Sequence, residues 1–171
     1  MKIERLKALF YYKDGKLYNR VSRGSAIKDS EAGYIAEDGY RRVRVDGKYL
    51  YVHRLVWFLL TLKEVPEDLF IDHIDGNRLN NNINNLRLAT ALENQYNKAR
   101  QSNGTSQYKG VWYDKAKDCW KASIRFKDKR HYIGQFETEL DAALAYDEYA
   151  KRIQGEFAKP NLIVGLNNDQ P

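Results

Sequence analysis

An adjacent acid and imidazole, Asp72-His73, follow the short apolar run Phe70-Ile71. Successive side chains of a strand point to opposite faces, so an aspartate and a histidine at a strand end can divide the work of hydrolysis. The carboxylate can hold a divalent cation, while a neutral imidazole, whose ordinary pKa is about 6.5, takes a proton from water near working pH. Asp72 as a metal ligand and His73 as a general base are therefore the candidate centre for phosphodiester hydrolysis.

A second oxygen ligand is expected from the helix that follows. Thr90-x-x-Glu93 is a capping box, which predicts a helix from Thr90 with Asn94 and Asn97 on one face. One carboxylate and the amide of Asn94, completed by waters and phosphate oxygens, suit Mg²⁺ or Mn²⁺ better than Zn²⁺. The single cysteine, Cys119, excludes a disulfide within the chain and a multi-cysteine zinc site, so no structural zinc is expected.

The elements that must position these residues are short. Asp46-Gly47 between two alternating runs predicts a hairpin within a β segment that fills residues 1–52. An apolar face over residues 53–62 predicts a helix, which Pro66 would stop.

The candidate site itself is expected on a strand, a turn, a second strand and a helix. The strand is Phe70–His73, the turn is Asp75-Gly76-Asn77, and the second strand returns through residues 83–90. Two arginines of this segment, Arg78 and Arg87, could contact phosphates or be solvated, and the sequence leaves both interpretations open.

The C-terminal part predicts a basic sheet covered by an acidic helix. Three strand-like runs, YKGVWYD, CWKASIRF and KRHYIGQF, precede a helix of about four turns with Thr138 as its N-cap and Gly155 at its end. Residues 105–136 carry 8 Lys and Arg against 3 Asp and Glu, whereas residues 137–171 carry 3 against 7. This polarity would turn the sheet toward a polyanion.

Alternation within the strands predicts which side chains face outward. Gln135 is expected on the apolar face and Gly134 on the opposite, basic face. A ribbon of two or three strands can enter the major groove of DNA, where arginine reads guanine. The residues expected on the outward face are Trp112, Lys121, Arg125, Arg130 and Tyr132.

The stretch DHIDGNRLNNNINNLRLATALEN resembles the HNH endonucleases, specifically phage and intron homing nucleases with a ββα-metal core. The resemblance implies that Asp72 and Asn94 bind the cation and that His73 is the general base. Asn85 matches the central asparagine of the motif, which pins the loop and helps to orient the base. The upstream YRRVRVDGKYLYVHRLVW extends the resemblance over about the first 100 residues, and there His53 matches a His-Arg pair whose role stays open between structure and phosphate contact.

The segment from Tyr108 to about Leu162 is similar to the APETALA-type, ethylene-response-factor DNA-binding domain, chiefly in GQFETELDAALAYDEYA. Trp112 and Ser123 stand where plant members carry a base-contacting arginine and an acidic residue, so the preferred DNA sequence cannot be carried over. The resemblance implies that the DNA contacts are made by Lys109, Trp112, Arg125, Arg130 and Tyr132.

The predicted fold class is therefore α+β, a ββα-metal HNH nuclease module followed by a small three-stranded antiparallel sheet packed on one helix. The expected organisation is a nuclease domain at residues 1–100 (a β segment at 1–52, then the helix and ββα-metal core at 53–97), a linker at 98–107, a DNA-binding domain at 108–162 and a tail at 163–171.

The predicted activity is hydrolysis of phosphodiester bonds in double-stranded DNA, by nicking or double-strand cutting, as a monomer or a DNA-dependent dimer. The main alternative is a DNA-binding regulator with a silent HNH scaffold, and a third class is an RNA-directed or structural binding protein. A formal charge of +6 favours a polyanionic partner. No apolar run reaches the about 18 residues of a membrane span, and the N-terminus lacks signal-peptide features, so we expect no membrane association, no small-molecule cofactor and a cytoplasmic location with nucleoid or phage DNA.

Overall fold

The computed structural model describes residues 3–97 and 104–161. Its contacts divide the chain into two compact units, residues 1–91 and 92–171, and each unit has its own core. Several small antiparallel sheets with few helices confirm the α+β fold class. The domain boundaries expected from the sequence stay a proposal, and the expected linker lies partly, and the tail wholly, outside the described residues. None of the described helices is long and apolar enough to span a membrane.

The first unit begins with helix α1, Ile3–Leu9, and a hairpin of β1, Phe10–Lys13, and β2, Lys16–Asn19. The expectation that this region holds strands alone is wrong at its start, because α1 buries Leu6 and Leu9 in the core. Seven residues are too few to show a helical period, and such a helix depends on tertiary packing for its stability.

A three-stranded sheet follows in the order β3-β4-β5, made of β3, Tyr34–Ile35, β4, Arg41–Val45, and β5, Lys48–Tyr51. The predicted hairpin between β4 and β5 is confirmed. Asp46 and Gly47 have φ of 47° and 81°, the left-handed conformation that a two-residue turn of this kind requires.

Helix α2, Val52–Thr61, confirms the helix predicted after the β segment. It ends before Pro66 is reached, because Leu62 adopts a left-handed conformation with φ 59° and its N–H bonds the carbonyl of Phe58. The expectation that Pro66 stops the helix is therefore wrong, since a left-handed residue already ends it.

The hairpin that carries the candidate residues consists of β6, Phe70–His73, and β7, Leu86–Ala89, with a 3₁₀ turn at Ile83–Asn85 before β7. Ile71 and Leu86 join the core of the first unit, which also contains Val52, Leu55 and Val56 of α2. Helix α3, Ala91–Tyr96, follows at once, and the division of the chain falls inside it.

The second unit confirms the predicted sheet and helix. Its strands pair in the order β10-β9-β8, and helix α4, Glu139–Gln154, packs on all three. Thr138 is the predicted N-cap, since its hydroxyl accepts from the N–H of Asp141 at 3.1 Å. The strands are β8, Val111–Asp114, β9, Cys119–Phe126, and β10, Lys129–Phe136.

A β-bulge interrupts β10 between Tyr132 and Gly134. Beyond it Gly134 pairs with Ala122, which is buried, and Gln135 pairs with Lys121 on the opposite face. The assignment of Gln135 to the apolar face and Gly134 to the basic face is therefore wrong, because one extra residue reverses the alternation of the strand.

Asp72 of β6 and Arg87 of β7 are cross-strand partners that form a buried ion pair. Nε and Nη2 of Arg87 each lie 2.9 Å from Oδ2 of Asp72, and the two side chains are 12% and 5% exposed. The guanidinium compensates a carboxylate that has lost contact with water, so removal of either partner leaves a buried charge.

We expect Arg87→Met to lower the free energy of unfolding by about 3 kcal/mol, the usual cost of breaking a buried ion pair from one side. Urea denaturation of the metal-free protein measures this loss. The matched control is Arg5→Met, which breaks the Arg5–Asp46 pair of the same 2.9 Å length between side chains that are 52% and 56% exposed. Water already screens that pair, so equal losses in the two variants would contradict the role of burial.

Candidate active site and nucleic-acid interface

The two residues predicted to carry hydrolysis are the last two of β6, and both are buried. The strand places them there because Ile71, the residue before them, is fixed in the core. Their side chains leave the strand on opposite faces, Asp72 toward Arg87 and His73 toward the loop after the strand. The expected division between a carboxylate side and an imidazole side is thus present in the geometry.

His73 is held in one tautomer by Asn81. Its Nε2 lies 3.2 Å from Oδ1 of Asn81, a buried residue of the loop between the strands. An amide oxygen can only accept, so Nε2 carries the hydrogen and Nδ1 carries the lone pair. Nδ1 is therefore the basic atom of the ring.

Burial lowers the pKa of His73 from its ordinary value of 6.5. The charge of Arg78 lowers it further, while the hydrogen bond to Asn81 and the charges of Asp75 and Asp72 offset only part of the effect. The imidazole is consequently neutral near pH 7, which is the form that a general base needs.

Asn85 fastens the loop that carries Asn81. Its Nδ2 donates to Oδ1 of Asp75 at 2.9 Å and to the carbonyl of Asn80 at 2.8 Å, and its Oδ1 accepts from the N–H of Asp75 at 3.0 Å. Asp75 is held in turn by Nδ2 of Asn80 at 2.7 Å. This mesh supports the loop-pinning role expected of Asn85.

His53 lies against the candidate base. The ring centroids of His53 and His73 are 5.2 Å apart, with the rings near perpendicular, and Tyr40 stands 5.1 Å from the first and 5.9 Å from the second. Burial, followed by the charges of His73 and Arg54, lowers the pKa of His53 to about 3. His53 is thus a neutral packing partner that limits rotation of the His73 ring without repelling it.

The two arginines whose role the sequence left open are both held by the protein. Nη1 of Arg78 donates to the carbonyl of Asp38 at 2.7 Å, and its guanidinium lies 5.0 Å from the ring centroid of Tyr40. Arg87 pairs with Asp72 as described above. Contact of either side chain with a phosphate stays a prediction.

Two residues of the site were missed by the sequence analysis. Asn81 stands in a run of asparagines, and nothing in the sequence separates it from Asn80 or Asn82. Tyr40 directly precedes β4 and lies beside both histidines only in the folded unit, so its role requires tertiary structure.

The donor chemistry fits a hard divalent cation. Among residues 3–97 and 104–161 no cluster of three or more His, Cys, Asp or Glu side chains could hold a metal ion. Asp72 is the carboxylate that the sequence predicts as a ligand. Mg²⁺ commonly keeps several waters and takes one or two carboxylates together with phosphate oxygens. Asn94 lies in the part of α3 that belongs to the second unit, and its role as a ligand stays a prediction.

In the second unit, the strand register brings five of the six predicted DNA-contacting residues to the side of the sheet away from α4. The guanidinium of Arg130 lies 5.5 Å from the ring centroid of Trp112, and its Nε donates to the hydroxyl of Ser123 at 3.1 Å. This surface, called the basic face below, consists of Trp112, Lys121, Arg125, Arg130 and Tyr132.

Two acidic side chains lie beside cations of the basic face. Lys121 forms a hydrogen bond with the carboxylate of Asp114, and Arg125 lies 3.8 Å from Asp128, a pair whose side chains are largely exposed. Arg125 and Tyr132 remain largely exposed. The face can therefore offer arginine and aromatic contacts to a polyanion, with Gln135 added beside Lys121 by the bulge.

Lys109, the sixth residue, has a different environment. Its Nζ donates to the backbone carbonyl of Tyr96 at 2.7 Å. Its own N–H donates to Oδ1 of Asn161 at 2.6 Å, and Nδ2 of Asn161 returns a hydrogen bond to its carbonyl at 3.1 Å. Burial, followed by the charge of Lys159, lowers the pKa of Lys109. The ammonium group expected on DNA is thus engaged within the unit.

Comparison with known proteins gives two separate matches, which correspond to the two parts of the chain. The HNH endonuclease family model matches residues 50–96, and the AP2 domain model matches residues 106–156. No solved structure gave a significant match.

Relatives include proteins of a virus, a phage and a plant. "Uncharacterized HNH endonuclease L560" of Acanthamoeba polyphaga mimivirus is 38% identical over 130 residues, which is 76% of this chain and 66% of that protein. "Protein 3.8" of Escherichia phage T7 is 33% identical over 95 residues, 56% of this chain and 78% of that protein. "Dehydration-responsive element-binding protein 2C" of Arabidopsis thaliana is 42% identical over 67 residues, 38% of this chain and 19% of that protein.

The chain spans just under two thirds of the mimivirus protein and a fifth of the plant protein. The two matched domains agree with the two resemblances noted in the sequence. The chain therefore belongs to the HNH endonuclease family and carries an AP2 domain after its HNH domain.

Proposed function

We propose that the chain is a divalent-metal-dependent DNA endonuclease of the HNH homing type, which docks on duplex DNA through the basic face of its AP2 domain. The observation that carries this proposal is the buried, neutral His73, whose tautomer Asn81 sets and which directly follows the buried carboxylate of Asp72. Such a pair matches the needs of phosphodiester hydrolysis, which are a base for water and an anchor for a cation.

In this proposal Nδ1 of His73 takes the proton of the attacking water. His53 and Tyr40 keep the ring in place by packing, and Asn85 acts from a distance by fastening the loop that carries Asn81. A bound Mg²⁺ or Mn²⁺ would supply neutralisation of phosphate charge and help for the leaving oxygen. Asp72 and Asn94 would hold that ion.

The basic face would hold the duplex by contacts with phosphates and groove edges. Arg125 and Arg130 offer guanidinium groups that suit both, and the exposed ring of Tyr132 adds apolar surface. One active site per chain makes nicking the expected product of a monomer, and a double-strand break the product of two copies on one site. A DNA-binding regulator with a silent HNH domain is the alternative, and it predicts binding without divalent-dependent cutting.

The central test is cleavage of supercoiled plasmid by the wild type and by His73→Ala, each with Mg²⁺, with Mn²⁺ and with a chelator. We expect nicked or linear product only from the wild type with a divalent ion, because the variant lacks the base. Its affinity for duplex DNA should stay within about twofold of the wild type, since the basic face is intact. Cutting by His73→Ala at the wild-type rate would contradict the role of His73, and binding without cutting by the wild type would favour the regulator.

The pH dependence of cleavage tests the environment of His73. A base works in its neutral form, and a pKa lowered by burial keeps His73 neutral to a lower pH than an exposed histidine. We therefore expect kcat/KM to fall on the acid side only below pH 6.5, the ordinary pKa of histidine. Single-turnover cleavage at saturating metal measures this limb. A limb centred above pH 6.5 would contradict a base that burial keeps neutral.

Salt dependence of binding tests the basic face. Affinity for DNA falls as salt rises, and each lost phosphate contact makes the slope of log affinity against log salt shallower by about 0.9. The double variant Arg125→Gln/Arg130→Gln should therefore make this slope shallower by about 2. Fluorescence anisotropy with a labelled duplex at several salt concentrations measures both slope and affinity. Lys151→Gln is the matched control, because Lys151 is exposed on α4, the helix that packs on the other side of the sheet. An unchanged slope in the double variant would move DNA docking away from this face.

A further inference from the structure

The last turn of α3 is packed into the second unit. Tyr96, the final residue of the helix, is 7% exposed, and its ring centroid lies 5.5 Å from that of Phe126 on β9. It shares a cavity wall with Ile124, Tyr146 and Gln154, of which the first two belong to the core of this unit. The end of the helix that leaves the HNH motif is therefore part of the structure of the AP2 domain.

Lys109 caps the C-terminal end of α3 with its ammonium group. The carbonyl of Tyr96 is one of the last-turn groups that have no partner within a helix, and the ammonium of Lys109 donates to it at 2.7 Å. A cation at the C-terminus of a helix is also favoured by the helix dipole.

Lys109 is itself fixed in place by its backbone. Asn161 bonds both its N–H and its carbonyl, and the N–H of Asn161 donates to Oδ1 of Asp147 on α4 at 2.7 Å. A continuous chain of hydrogen bonds thus runs from α4 through Asn161 and Lys109 to Tyr96.

A six-residue helix needs such support, because an isolated helix of this length is unstable in water. Asn94 lies two residues before Tyr96 on the same short helix. Groups that orient a metal ligand raise the affinity for the ion. Support for the end of α3 would orient the backbone that carries Asn94.

We propose that Lys109 and Tyr96 form a positioning contact through which the AP2 domain holds Asn94 for metal binding. The inference rests on the proposed function, since it takes Asn94 to be a metal ligand. It gives Lys109 a different role from the DNA contact that the resemblance implies.

The test is Mn²⁺ binding by the full chain without DNA, followed through the electron paramagnetic resonance signal of the free ion. We expect Lys109→Met, which keeps the apolar stem and loses the ammonium, to bind Mn²⁺ about 10-fold more weakly, the loss usual for residues that orient a ligand. Lys109→Arg keeps a cationic donor and should recover part of the affinity. Tyr96→Leu, which removes the ring contact with Phe126, should weaken Mn²⁺ binding in the same direction. Lys151→Met, at an exposed position of α4, should bind Mn²⁺ like the wild type.

Two further measurements separate positioning from other effects. Amide hydrogen exchange of residues 91–97 should be faster in Lys109→Met, because the helix end is released. The duplex affinity and its salt slope should not change, because the basic face is intact and Lys109 makes no phosphate contact. Retained duplex binding also shows that the AP2 domain of the variant is folded.

The outcomes distinguish this inference from the proposed function. If Asn94→Ala weakens Mn²⁺ binding and neither Lys109→Met nor Tyr96→Leu does, Asn94 is a metal ligand but the positioning contact is overturned. If Asn94→Ala binds Mn²⁺ like the wild type, the ligand assignment and the positioning contact are both overturned. If Lys109→Met makes the slope of log duplex affinity against log salt shallower by about 1 and leaves the Mn²⁺ affinity unchanged, Lys109 contacts DNA instead.

Discussion

Removal of water from the end of β6 is the constraint on which the nuclease unit depends. A buried carboxylate and a buried imidazole each need a protein partner, because neither can be left without hydrogen bonds. Arg87 forms an ion pair with Asp72, and Asn81 forms a hydrogen bond with His73. The same burial lowers the pKa of His73, so the feature that makes the site costly to fold also keeps the imidazole neutral. The asparagine loop and the packing of Tyr40 and His53 are the structural means by which the cost is offset.

Local signals predicted the elements well. The Asp46-Gly47 turn and the N-cap at Thr138 followed from residue types at short spacing, because turns and caps are made by neighbouring residues. The immediate neighbours of His73 did not follow. Tyr40 and His53 reach it through strand pairing and helix packing, and these depend on the whole fold of the unit.

The face assigned to a strand residue and the availability of a cation also depend on tertiary structure. Strict alternation placed Gln135 wrongly because a bulge depends on pairing with the neighbouring strand, which the residues of β10 do not reveal. A count of basic residues likewise gives the sign of a surface without saying which cations are engaged. Lys121 is paired with Asp114, and Lys109 is bonded to a helix end, whereas Arg125 extends into solvent. The cationic charge of the basic face itself is therefore carried mainly by Arg125 and Arg130.

The division of the chain inside α3 has a consequence for anyone who would recombine these domains. A chimera joined at residues 98–107, where the composition suggests a linker, would carry Tyr96 on the nuclease fragment and leave its pocket beside Ile124 and Tyr146 on the other. The nuclease fragment would expose the ring of Tyr96 and leave its carbonyl without the hydrogen bond from Lys109. The separated AP2 domain would lack one of the side chains that line its cavity. The exchangeable piece of this protein therefore begins with the helix, and a graft that respects the fold must transfer α3 together with the sheet it packs on.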